Sequence, residues 1–285
     1  LARAEALIED GQSGPAIPPE LDLRMEWIAA RLTLEAGQAG IAVEKAAALL
    51  EGLYDSPYDY LPETLLQAVE SHLLLLEGEA SFLLGEKESA MESFRRLREQ
   101  YAQSGPAILS YLVESRQETR EDNLVSAQQS LINLVDRFPE SEYAPIALWE
   151  AALNAEQRGL NVHLQESITI LERLFTNYPG HGLVYFARLK QGDLARRLND
   201  FPTALLLYER LISQYPDHPE RYRAELSRGD CLMALGSEDS ARYDAAAVIY
   251  ERYCLLSSAP LPVRLEAGFK WAHSLKQQGD DSGSQ

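Results

Sequence analysis

Residues 204–217 read ALLLYERLISQYPD, and the pattern returns three times upstream. It stands as SITILERLFTNYPG from Ser167, as AQQSLINLVDRFPE from Ala127 and as AMESFRRLREQYAQ from Ala90. A weaker copy, AAVIYERYCLLSSA, begins at Ala246. Each copy opens on a small residue: Ala90, Ala127, Ser167, Ala204 or Ala246. A large apolar residue follows four positions later: Phe94, Leu131, Leu171, Tyr208 or Tyr250. Three positions further stands Leu97, Leu134, Leu174, Leu211 or Tyr253. These offsets mark one face of a helix. Four copies close on an aromatic, Tyr101, Phe138, Tyr178 or Tyr215, and in three a proline follows at once: Pro139, Pro179 and Pro216. Proline cannot continue a helix, so it ends the element there. The aromatic stripe, repeated at every helix end, is expected to pack between repeats.

The copies start 37, 40, 37 and 42 residues apart, which leaves room for a second helix in each interval. Upstream of each small residue lies another, Gly78, Ser115, Ala152, Gly192 or Gly229, where helices can approach closely. Short turns built on Gly or Asn-Asp, such as Leu198-Asn199-Asp200 and Gly85-Glu86, separate the two helices; the longest is expected over 236–244. The spacing predicts helices over 21–36, 41–54, 63–84, 87–101, 106–119, 122–137, 143–158, 163–177, 183–198, 202–214, 219–235, 241–256 and 261–278. No alternating β-branched run is flanked by hairpin-turn residues. The expected fold is all-α: a solenoid of about six and a half antiparallel hairpins, single over 1–279, with a flexible tail at 280–285. The chain starts at Leu1 in what reads as the end of a helix over 1–10, so it is expected to be part of a longer protein.

The 285 residues are 46% hydrophobic and 25% charged, which suits a folded domain. A net charge of −18 repels nucleic-acid phosphates and anionic membranes. No apolar run is long enough to span a bilayer. Glycine-rich nucleotide loops and helical HExxH pairs are both missing. His181 and His218 each follow a helix-ending proline by two residues, and are read as exposed turn residues, one repeat apart and too distant to share a metal. Cys231 and Cys254 fall in one hairpin, as a disulfide in an oxidising compartment or as two buried thiols. No catalytic residue, cofactor site or metal site is expected.

The pattern resembles the tetratricopeptide repeat, a helix hairpin of about 34 residues. Gly192, Ala204, Tyr208 and Pro216 stand where that family keeps small, small, large and proline residues. Arg188 stands where it keeps a tryptophan. The resemblance implies that the solenoid is right-handed and that the first helix of each hairpin lines a concave groove. Carried over residue by residue, the groove positions include Leu112, Arg116, Arg120, Trp149, Phe186, Leu189, Arg196, Arg197 and Arg223. Trp149 and Phe186 either face the groove or pack between first helices. The arginines either grip a partner or pair with Asp193, Glu156 and Asp230.

The resemblance implies a non-enzymatic scaffold that holds another protein or peptide in its groove. That partner is expected to carry acidic and apolar side chains, or a free C-terminal carboxylate. Self-association through the ends of the array is a further expectation. The helix ends RFPES, NYPGH and QYPDH are similar to those of bacterial cell-envelope members, of the Tol–Pal-associated periplasmic and outer-membrane assembly lipoprotein types. This implies a periplasmic or cell-envelope location, with the cytoplasm as the other option. The alternative function is the helical superstructure of a larger enzyme, such as a peptidoglycan lytic transglycosylase.

Overall fold

The computed structural model describes residues 17–277. The expected helix end at 1–10 and the tail at 280–285 lie outside the described residues. Thirteen helices and no strand are found among the described residues, each within two residues of its predicted bounds. The chain divides into two compact units, residues 1–144 and 145–285.

The first unit holds α1 (Pro19–Glu35), α2 (Ala39–Gly52), α3 (Glu63–Leu84), α4 (Lys87–Gln100), α5 (Gly105–Arg120) and α6 (Leu124–Arg137). Each helix packs on the next, and α3 also touches the other two first helices, α1 and α5. The second unit holds α7 (Ala144–Gln157), α8 (Asn161–Asn177), α9 (Val184–Arg197), α10 (Phe201–Gln214), α11 (Arg221–Leu235), α12 (Ala241–Leu255) and α13 (Leu261–Gln277). From α8 onward each helix again packs on the next, and α9 also touches α11. Ser167 Oγ on α8 donates to the Ala152 carbonyl on α7 at 2.8 Å, which ties that hairpin together.

The local signals act as the residue types dictate. Tyr101, Phe138, Tyr178 and Tyr215 cap their helices, each donating its N–H to the leucine carbonyl four residues back. All four backbones have left the helical region; at Phe138, Tyr178 and Tyr215 the following proline disfavours the helical conformation. Five hairpin turns pivot on a left-handed residue: Gly37, Gly85, Asp122, Gly159 and Asn199. Asp and Asn are the side-chain-bearing types that best tolerate that conformation. In the sixth hairpin α12 begins at Ala241, three residues before the expected end of the turn, where Asp239 Oδ1 accepts from the Ala241 N–H.

Tyr101 and Tyr215 share clusters with residues of the following hairpin, as expected, but the aromatic stripe departs from expectation in also meeting rings of its own hairpins. Phe138 lies 6.2 Å from Tyr111, and Tyr215 lies 5.6 Å from Tyr185, both within their own hairpins. An antiparallel hairpin returns the end of its second helix to the start of its first, so these rings meet before the next repeat is reached. The turn histidines differ too: both are half-buried caps and not exposed residues. His181 Nδ1 accepts from the Leu183 N–H and His218 Nδ1 from the Glu220 N–H, as Ser141 Oγ accepts from Tyr143. The His218 ring also stacks on Tyr185 at 3.4 Å.

The tightest contact inside the hairpins joins a small residue of the first helix to a large one of the second. A Cβ added at Gly192 would lie 2.6 Å from Tyr208 Cε1, and one at Gly229 would lie 2.7 Å from Tyr250 Cε1. Gly78 meets Phe94 in the same way. Tyr208, Tyr250 and Phe94 are fully buried, so the rings have nowhere to retreat. In an open helix Gly→Ala gains roughly 1 kcal/mol from propensity. Here overpacking of ~1–3 kcal/mol outweighs it, so Gly192→Ala is expected to destabilise the protein. Tyr208→Leu in the same chain should recover part of the loss. A double-mutant cycle by urea denaturation checks this; a stabilised Gly192→Ala variant rejects the contact as a constraint.

Candidate partner-binding surfaces

In the first unit, α1, α3 and α5 surround a pocket of about 260 Å³. Arg116 and Arg120 line it together with Arg31, Glu35 and Glu79. Phe82, Leu83 and Val113 supply an apolar wall. Arg31 pairs with Glu79, and with Glu35 at 2.8 Å. Burial pushes the Glu79 carboxyl above its ordinary range, against the pull of Arg31. Arg120 is exposed and touches Gln117 of its own helix at 3.3 Å. Leu112 is 1% exposed and belongs to the interior.

In the second unit, α9, α11 and α13 surround a pocket of about 380 Å³ that Leu189, Arg196 and Arg223 line. Asp230 is its hub. It accepts from Arg196 Nη1 at 2.8 Å, from Lys270 Nζ at 2.9 Å and from the Tyr250 hydroxyl at 2.9 Å. One hairpin earlier, Asp193 accepts from the Tyr208 hydroxyl at 2.6 Å and lies 3.8 Å from Arg196. Burial first, and the aspartates second, push both tyrosines above their ordinary range. Cys231 beneath is buried and free; burial pushes its thiol up to about 12. Cys254 is free and half-buried.

Of the two readings for the arginines, the structure realises internal pairing for Arg196 and Arg197. Arg197 and Lys190 both reach Glu156 on α7, the latter at 3.0 Å. Arg223 is exposed and pairs within its own helix end, with Glu220 at 2.8 Å. Trp149 is half-buried. Phe186 packs edge-on against Tyr185 at 5.5 Å and His218 at 5.7 Å, and Leu189 is 3% exposed. The surfaces therefore gather Arg116 and Arg120 in one unit and Arg196 and Arg223 in the other.

Sequence reasoning missed Arg31, Glu79 and Lys270, which complete the two surfaces. A signal for the hub was present: Gly192-Asp193 and Gly229-Asp230 are the same dipeptide 37 residues apart, each with a tyrosine in its second helix. Among the described residues no cluster of three or more His, Cys, Asp or Glu could hold a metal, and no helix is long and apolar enough to cross a membrane.

Residues 73–104 and 189–253 each match a sequence profile of the tetratricopeptide repeat. No curated protein sequence matches the chain. A tetratricopeptide repeat protein from Parabacteroides merdae is similar in structure over 92% of this chain and 89% of its own, at 14% identity and a TM-score of 0.51. A signal transduction ATPase with numerous domains and a tetratricopeptide repeat sensor, from Pyrococcus horikoshii, is similar over 92% of this chain at 12% identity and a TM-score of 0.58. This chain spans 40% of that protein's length. At these identities the likeness is one of fold.

Two outcomes test the electrostatics. Asp230→Ala strands three donors and is expected to cost about 1–3 kcal/mol. Arg197→Ala removes one exposed cation and should cost less than ~1 kcal/mol by the same urea titration. Equal losses would show that Asp230 is no hub. His72, 4.8 Å from Trp27, is held below its ordinary value of 6.5 by burial and then by the Arg31 charge. A base with a lowered folded pKa stabilises above its unfolded pKa, and that stability is lost as pH falls through the folded one. Melting followed by tryptophan fluorescence should therefore drop more steeply in wild type than in His72→Gln as the pH falls below 6.5. Identical slopes would remove His72 from the acid response.

Proposed function

We propose that this chain, built on tetratricopeptide repeats, is a non-enzymatic scaffold that holds a partner polypeptide on its first-helix surfaces. The observation that carries the reading is the paired chemistry of these surfaces. In a chain of net charge −18, each unit gathers arginines around a pocket on its first helices. The first unit adds an apolar wall of Phe82, Leu83 and Val113 beside them. A segment with acidic and apolar side chains meets both requirements, and the surrounding negative field disfavours chains that are merely acidic. The similarity of the helix ends RFPES, NYPGH and QYPDH to those of cell-envelope members supports a role in a bacterial envelope process.

Arg120 and Arg223 are the cations to change, because neither sits in an interhelical ion pair among the described residues. Reversal at Arg196 would instead set a carboxylate against Asp193 and Asp230 and confound binding with folding. Partners are captured from the native organism, identified by mass spectrometry and titrated against wild type and the Arg120→Glu and Arg223→Glu variants. Affinity is expected to fall about tenfold per reversal, with the wild-type affinity itself declining as salt rises. Unchanged affinity in both variants, with helicity intact, would move the contact off the first-helix surfaces.

A further inference from the structure

Arg188 takes no part in the groove. It stands where the repeat family keeps a tryptophan, and it lines a separate cavity of about 260 Å³ between α8, α9 and α10. Its guanidinium carbon lies 4.6 Å from the centroid of the Phe175 ring. Its Nε is closed off from solvent and has no hydrogen-bond partner. Arg210 lines the same cavity, and among the described residues neither arginine forms a hydrogen bond or ion pair within the chain. The carboxylate that shares the cavity, Glu172, already accepts from Gln191 Nε2 at 2.9 Å.

Two cations without a hydrogen-bond or ion-pair partner among the described residues thus line one half-open cavity with a single carboxylate, which already uses one oxygen on Gln191, on an otherwise acidic protein. A guanidinium stacked on a ring is held by its face, while its N–H groups point outward in its own plane. That edge matches the two oxygens of a planar or tetrahedral oxyanion. Interior donors are nearly always paired, so the lone Nε shows that the described residues supply no acceptor for this guanidinium, and the donors on its edge are left for one from outside.

We propose that this cavity binds an oxyanion, a carboxylate or phosphate group, gripped by Arg188 and Arg210. The site is separate from the first-helix surfaces and goes beyond the scaffold reading. The oxyanion comes either from a free small anion or from an acidic side chain of a bound polypeptide.

Calorimetric titration of the full chain with inorganic phosphate and, separately, with N-acetyl-glutamate amide tests the proposal. Ionic strength is balanced with chloride, so that general anion effects cancel. Saturable binding is expected for at least one probe, weakened about tenfold or more in Arg188→Met and several-fold in Arg210→Gln. The Arg188 Nε–H resonance should shift along the same binding curve. Phosphate binding alone assigns the site to a free anion; binding of the blocked glutamate alone assigns it to a side chain. Should Arg188→Met fold poorly, the exposed Arg210→Gln carries the comparison. Saturation by neither probe, or equal affinity in wild type and in the variants that fold, overturns the proposal.

Discussion

The hairpins depend on one steric match, a missing side chain on the first helix facing a large one on the second. Gly192, Gly229 and Gly78 leave no room for a methyl group against Tyr208, Tyr250 and Phe94. At the equivalent places Ser115 stands with Leu131 and Ala152 with Leu171. The small residue grows by an atom or two where the large one shrinks from a ring to a leucine. That compensation is what close packing demands of a contact fixed by two helix axes. Helix spacing follows from it, and so does the burial of Ala127, Ala204 and Ala246 at the crossing.

The same match places the polar chemistry. A ring driven against glycine carries its hydroxyl to the residue after that glycine. Where the ring is tyrosine, that residue is Asp193 or Asp230 and accepts the hydroxyl. Where the ring is Phe94, which has no hydroxyl, that residue is Glu79, and it pairs with Arg31 of the neighbouring first helix instead. The acids that organise the groove cations are thus fixed by packing inside the hairpin. Arg196 and Lys270 then gather on Asp230 from both sides, and they lace α9, α11 and α13 together.

Most of the architecture was legible because its signals are local. Proline after Phe138, Tyr178 and Tyr215, and Asn199 or Gly85 in the turns, act within one turn of chain. The surfaces were half legible, since their residues came from the right helices with ambiguous burial. Leu112 and Leu189 read as groove-facing, yet they are 1% and 3% exposed and belong to the interior. Periodicity reports the direction of a side chain but not how near the next helix stands. Arg196 and Arg197 were ambiguous for another reason: a long side chain reaches acids one repeat away, at Asp230 and Glu156, and the reach depends on the rise between repeats. The capping role of His181 and His218 was hidden because serine does the same work at 141, and no composition rule links the two.

Internal pairing limits what the arginines can contribute to recognition. A guanidinium already held by Asp230 must be released before it can grip a partner, and that release offsets much of the new contact. Exposed cations such as Arg120 and Arg223 are free to turn outward, but an exposed ion pair is worth only about 0–1 kcal/mol. In the scaffold proposed above, affinity on these surfaces must therefore rest on apolar burial, against Phe82, Leu83 and Val113 in the first unit. Each 100 Å² of such area yields a gross transfer gain of roughly 2.5 kcal/mol at ~25 cal/mol per Å², from which the cost of association is subtracted. The cations set which segment approaches and in which direction it lies, because electrostatic complementarity acts on selection and association rate more than on binding energy. An acidic protein with a few cations at its pockets suits that division under the proposed reading: the field would sort the partners, and the apolar wall would hold the one admitted.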